Sequence, residues 1–165
     1  RLRWSHVDRE KGFIRLSAEL TKEGKCKNIP INRYVLGVLS SVPRALHHDF
    51  VFTFKGQPIT QPGGLKRSFR TACKNANIPC GRDVSDGITF HDIRRTVKTN
   101  MLNAGLDKVF RDTILGHSLT GMDVHYMAPS EEDLTQAMIR YTEWLTRELK
   151  TAVVDQNVDQ DKKMG

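Results

Sequence analysis

The chain has 165 residues, with 26 Lys and Arg against 19 Asp and Glu, a net charge of +7 and an isoelectric point near 9.5. That length allows one domain with a real core, and 38% hydrophobic content suits an ordinary soluble fold. No run approaches the roughly 18 consecutive apolar residues of a membrane span, and no apolar stretch follows Arg1-Leu2-Arg3-Trp4, so neither a transmembrane chain nor a secretory signal is expected.

The positive balance favours polyanionic partners, nucleic acid first, although a solvated basic surface has the same composition. Three cysteines, Cys26, Cys73 and Cys80, form no CxxC pair and are odd in number, which argues against a disulfide framework or a zinc site and for a reducing, cytoplasmic compartment. The opening lacks Met and begins in mid-pattern, so an excised piece of a longer chain is expected.

Phe13-Ile14-Arg15-Leu16 reads as a short strand, Lys22-Glu23-Gly24-Lys25 as a turn, and Asn28-Ile29-Pro30-Ile31 as a returning strand whose proline implies an edge position. Residues 32 to 41 fit a short helix carrying Val35, Leu36 and Leu39, and Val51 to Phe54 another strand. After the break at Gln61-Pro62-Gly63-Gly64, Leu65, Phe69, Ala72 and Ala76 recur at helical spacing, with Lys66, Arg67, Arg70 and Lys74 outside the stripe. Such a helix can rest its seam on a core and turn cations outward; a plain solvated helix looks the same.

A polar loop from Asn77 to Gly87 precedes a helix starting near Phe90 or His91, in which Ile93, Val97, Met101 and Ala104 keep the period and Gly105 ends it. Asp107 can cap the next helix, which runs to Gly116. A short segment, Thr120 to Met127, carries Tyr126. Ser130 followed by Glu131, Glu132 and Asp133 starts a long amphipathic helix through Leu134, Met138, Tyr141 and Leu145 to Leu149. Residues 150–165 are polar and expected to form a disordered tail. The fold class expected is α+β, mainly helical, with a small antiparallel β-sheet at one edge.

Five side chains carry chemistry. His91 and Arg94 are three apart and share a helix face, with Ile93 and Val97 expected to turn into the core. A guanidinium can fork onto two phosphate oxygens, and an imidazole can hydrogen-bond or exchange a proton. Gly116 would put His117 at a sharp turn, although a His at a helix C-terminus is common for dipole reasons alone. Tyr126 follows nine residues later; its hydroxyl is a poor nucleophile unless cations stabilise the phenolate. Lys22, at a hairpin turn, could protonate a leaving oxygen or simply aid solubility. Each motif alone is weak. His47-His48-Asp49 is read as a loop feature, and no metal site is expected, since HExxH, paired acidic clusters and P-loops are absent.

The order of these motifs is specific. A hairpin lysine, then His91-Asp92-Ile93-Arg94, then Leu115-Gly116-His117, then His125-Tyr126 resembles the catalytic domain of the tyrosine recombinases (phage integrase family) over residues 1–149. Thr21-Lys22-Glu23-Gly24-Lys25 with Ile29-Pro30-Ile31 resembles the family's hairpin, and Leu2-Arg3-Trp4 the segment after its first arginine. The resemblance implies attack by Tyr126 on a DNA phosphate to give a 3′-phosphotyrosyl link, with Arg94 and His117 on the non-bridging oxygens. It also implies assistance by His91 and protonation of the leaving 5′ oxygen by Lys22, without a cofactor. It makes Arg67, Arg70, Lys74 and Lys25 DNA-contact candidates and implies double-stranded DNA as partner, a homotetramer on DNA and a bacterial or phage-encoded, nucleoid-associated protein. The family's first catalytic arginine would precede Arg1, so this fragment alone is expected to be inactive or severely impaired. A type IB topoisomerase-like enzyme and a non-catalytic DNA-binding module are the alternatives.

Overall fold

A computed structural model describes residues 2–59, 63–117 and 129–161, with side chains in the last segment described to Thr151. A 3₁₀ turn (Trp4–His6) leads into β1 (Val7–Asp8), β2 (Phe13–Leu16) and, after a second 3₁₀ turn (Ala18–Leu20), β3 (Lys27–Pro30). They form an antiparallel sheet in the order β1-β2-β3, with Phe13 opposite Pro30 and Leu16 opposite Lys27. Pro30 sits on the edge strand, where no further strand needs its missing N–H. Gly12, at φ +70°, makes the β1–β2 turn in the left-handed region that glycine enters without penalty.

Helix α1 (Arg33–Ser41) starts where the Asn32 side chain accepts the Val35 N–H at 2.9 Å. The strand expected over Val51 to Phe54 is shorter: β4 (Thr53–Phe54) and β5 (Gln57–Pro58) make a two-residue hairpin, turned by Lys55 and Gly56 at φ +51° and +72°. Val51 is instead buried, its N–H held by the Leu2 carbonyl at 3.0 Å. The remaining helices are α2 (Gly63–Asn75), α3 (Phe90–Asn103), α4 (Lys108–Leu115) and α5 (Glu131–Asp161).

Two hydrophobic clusters lie among these elements. Trp4, Leu39 and Val51 form the smaller one, joined by Leu2, Val7, Ile31 and Val42. The larger one gathers Phe13 from the sheet, Met101 from α3, Leu106, Ile114 from α4, and Leu134, Ala137, Met138 and Tyr141 from α5. The stripes expected on α3 and α5 largely supply this core, because residues three and four apart share a helix face.

Two expectations about buried faces need correction. Ile93 is 47% exposed, because the first turn of α3 projects past the core and packing starts at Val97. On α2, Leu65, Ala72 and Ala76 are exposed; the helix seats itself through buried Cys73 and through Phe69, which stacks on Phe90 at 4.3 Å between ring centroids. The Phe69–Cys73 pair is the i, i+4 face that meets the loop before α3. The helix that begins at Glu131 continues past Leu149 to Asp161, beyond the extent its apolar period suggests.

Polar contacts fix the sheet against α5. Arg15 forks onto the Glu131 carboxylate and also pairs with Asp8 at 3.0 Å, while Asn28 donates to Glu131 at 2.8 Å. These contacts hold the carboxyls of Glu131 and Asp8 below their ordinary range, Glu131 through Arg15 and Asp8 through the Lys11 N–H and Arg15. Ser130 and Asp133 cap α5 reciprocally: the Ser130 hydroxyl donates to the Asp133 carboxylate at 2.7 Å and accepts the Asp133 N–H at 3.1 Å.

Candidate active site

The site forms where the start of α3 meets the end of α4. Asp92 anchors the start of α3, accepting the Thr89 N–H at 2.9 Å and the Thr89 hydroxyl at 2.7 Å. This places His91 and Arg94, both exposed, on the first turn and a half. Helix α4 ends at Gly116, which is left-handed at φ +66°; the Gly116 N–H returns to the Thr113 carbonyl at 3.0 Å and the His117 N–H to the Asp112 carbonyl at 2.7 Å. The chain therefore turns sharply at His117.

Arg94 crosses to this turn. Its guanidinium donates to the Leu115 carbonyl, and its Nε lies 3.3 Å from His117 Nε2. Two of the sequence-predicted groups, 23 positions apart, thus touch. His91 lies one helical step from Arg94 and lines a cleft of about 560 Å³ with Lys66, Phe69, Arg70, Arg82 and Phe90 among others. The basic face of α2 and the first turn of α3 therefore share one groove. Arg67, Arg70 and Lys74 also line a shallower surface groove of about 370 Å³.

Lys22 is exposed on the turn after the second 3₁₀ segment, and Lys25 is exposed beyond it. That turn is pinned by Thr21, whose hydroxyl donates to the Lys25 carbonyl at 2.8 Å and accepts the Lys25 N–H at 3.0 Å. Tyr126 lies outside the described residues.

Four residues that the sequence does not single out enter the site. Lys27 Nζ donates to the Gly116 carbonyl at 3.0 Å and pairs with Glu23 at 2.5 Å, tying the Lys22 turn to the residue before His117. This pairing lowers the Glu23 pKa. Lys98 and Asp112 meet beneath His117: Lys98 Nζ donates to Asp112 Oδ1 at 2.8 Å, and His117 Nδ1 lies 3.2 Å from the same oxygen. Lys108 pairs with the other oxygen at 3.2 Å. Burial pushes the Asp112 carboxyl up, but hydrogen bonds from Lys98, His117 and Lys108 outweigh it and hold the pKa at about 2. Arg94 and Lys98 are four apart on α3, a pattern visible in the sequence, whereas the Lys98–Asp112 pairing joins two helices and leaves no local signal.

Chemically, Arg94 and His117 present a guanidinium beside an imidazole, and His91, three residues before Arg94, lines a groove with further cations; such groups are suited to holding and polarising a phosphodiester. Among the described residues, no group of three or more His, Cys, Asp or Glu side chains could hold a metal ion, and the three cysteines are free. No described helix is long and apolar enough to cross a membrane.

A mainly helical α+β domain with a groove lined by cations suits a polyanionic partner. The phage integrase family model matches residues 1–133, and the chain belongs to that family of tyrosine recombinases. Membership makes DNA its partner and DNA recombination its process. No curated protein and no solved structure matches the chain.

Proposed function

We propose that residues 1–149 form a catalytic domain that cuts and rejoins DNA at specific sites through a covalent 3′-phosphotyrosyl intermediate. Tyr126 is the nucleophile. Arg94 and His117 hold the non-bridging oxygens of the scissile phosphate, His91 hydrogen-bonds and exchanges protons there, and Lys22 protonates the leaving 5′ oxygen. As the Tyr126 oxygen bonds to phosphorus, the bond to the 5′ oxygen breaks; a 5′-hydroxyl from a second strand reverses the step and releases the phenol. Bond energy is conserved in the phosphotyrosyl ester, so no nucleotide is consumed. Fixed cations supply the stabilisation of the transition state. Arg67, Arg70, Lys74 and Lys25 bind the DNA backbone, and the working unit on DNA is a homotetramer.

The observation that carries this reading is the Arg94–His117 contact at 3.3 Å, which brings together two motifs remote in sequence. Tyr126 lies inside the matched residues 1–133, nine positions after His117. The test is covalent trapping on a nicked suicide substrate carrying the protein's own site, using the full-length recombinase. The parent should form a protease-sensitive DNA adduct and Tyr126→Phe none. An undiminished adduct in Tyr126→Phe refutes the assignment, and DNA relaxation without strand exchange would favour a topoisomerase instead.

A further inference from the structure

Asp112 is the buried charged residue among the described residues, 4% exposed, and the proposed chemistry assigns it no task. Its Oδ1 faces Lys98 Nζ at 2.8 Å and His117 Nδ1 at 3.2 Å, and its Oδ2 faces Lys108 Nζ at 3.2 Å. On the opposite edge of the imidazole, Arg94 Nε lies 3.3 Å from Nε2.

Donor and acceptor rules then place the ring proton. A guanidinium only donates, so Nε2 is the acceptor in its contact with Arg94. A neutral imidazole that accepts at Nε2 carries its hydrogen on Nδ1. Two groups lie within reach of Nδ1, Lys98 Nζ at 3.3 Å and Asp112 Oδ1 at 3.2 Å. An ammonium cannot accept, so the Nδ1 hydrogen goes to the carboxylate, and Lys98 donates to that same oxygen.

We infer that Asp112, held in place by Lys98, is a positioning residue for His117: it takes the Nδ1 hydrogen, fixes the ring plane and leaves the Nε2 lone pair to accept from Arg94. The placement of the proton rests on these contacts alone; what Nε2 meets rests on the recombinase reading above. In the DNA-free chain His117 is therefore an acceptor at Nε2. It becomes a donor to a phosphate oxygen only after gaining a proton at Nε2.

Nitrogen-15 NMR of the histidine rings tests this on the folded chain, with His117 identified by the signal lost in His117→Gln. The parent should show a neutral ring protonated at Nδ1. Asp112→Ala should release it toward the Nε2–H form that free imidazole prefers, while Asp112→Asn, which keeps an acceptor oxygen in the same place, should retain the parent pattern. Lys98→Met, at a side chain 38% exposed, should preserve the fold and shift the His117 ring signals. An Nε2–H ring in the parent overturns the inference, as does a ring unmoved by both Asp112→Ala and Lys98→Met. In single-turnover cleavage, Asp112→Ala should slow the reaction about tenfold or more, at the low end for a partner that orients a functional imidazole. DNA affinity should stay within about twofold, and Asp112→Asn should recover most of the rate. Equal losses of rate and affinity would mark a merely structural role and overturn the inference. These rates are read on the full-length recombinase; if that protein cleaves nothing, the recombinase reading fails while the ring measurement still decides the proton's place.

Discussion

Gly116→Ala tests how the turn before His117 is built. Gly116 sits at φ +66°, and a Cβ there would lie 2.7 Å from Lys27 Nζ, with Cδ and Cε at 3.2 and 3.3 Å. Two costs follow. Placing an L-residue in the left-handed region costs about 1–2 kcal/mol. Pushing Lys27 aside breaks its 3.0 Å bond to the Gly116 carbonyl, a contact worth about 1 kcal/mol at a side chain still 21% exposed. The expected loss is therefore about 2–3 kcal/mol, or roughly 4–12 °C in Tm for a chain of this size. Lys27→Ala alone should cost about 1 kcal/mol. In the Lys27→Ala background, Gly116→Ala should cost only the backbone strain, so the two substitutions should fall short of additivity by about 1 kcal/mol. Urea unfolding of the four proteins closes the cycle. Strict additivity would show that Lys27 and Gly116 are not coupled, and an unchanged stability in Gly116→Ala would refute the left-handed turn itself.

Other outcomes follow from the same contacts. Met101 is 2% exposed at the centre of the larger cluster, so Met101→Ala should destabilise by about 2–5 kcal/mol in urea without altering the m-value. Asp112 titrates at about 2 in the folded chain against an ordinary 3.8, so its contribution of about 2 kcal/mol is present above pH ~4 and lost as pH falls through ~2. Asp112→Asn should therefore flatten the acid limb of a stability–pH profile, and an identical limb would disprove the pairing. Alanine at Arg67, Arg70 or Lys74 should weaken binding to any DNA sequence alike and reduce the salt slope by about one per residue, as measured by fluorescence anisotropy. A sequence-selective loss with an unchanged slope would remove that residue from the phosphate contacts.

Local rules reach some parts of this molecule and not others. Ser130 with the acids that follow announces its helix, because a cap and its partner three residues on satisfy orphan N–H groups; Thr89 and Asp92 do the same at the start of α3. Gly116 likewise announces the end of α4. The same periodicity misplaces Ile93, since a helix face is buried only where another element covers it, and nothing in a 3.6-residue repeat says where the covering stops. Leu65, Ala72 and Ala76 mislead for the same reason, while Phe69 finds its partner in Phe90, across a loop. The β4–β5 hairpin escapes notice because its strands are two residues each, too short for alternation to register.

The sequence by itself determined the family and named the candidate reactive groups, because motif order and residue chemistry are one-dimensional properties. It also determined most helix ends, because capping is local. Only the tertiary structure decided that Arg94 reaches His117, that Lys27 braces the Gly116 turn, and that Asp112 lies buried between Lys98 and the imidazole. Apart from Asp112 and His117, five positions apart, those contacts join residues 14 to 89 positions apart. They exist because the packing of α3, α4 and β3 around one core brings their ends together, and the chain carries no local mark of which side chains that convergence will bring into contact.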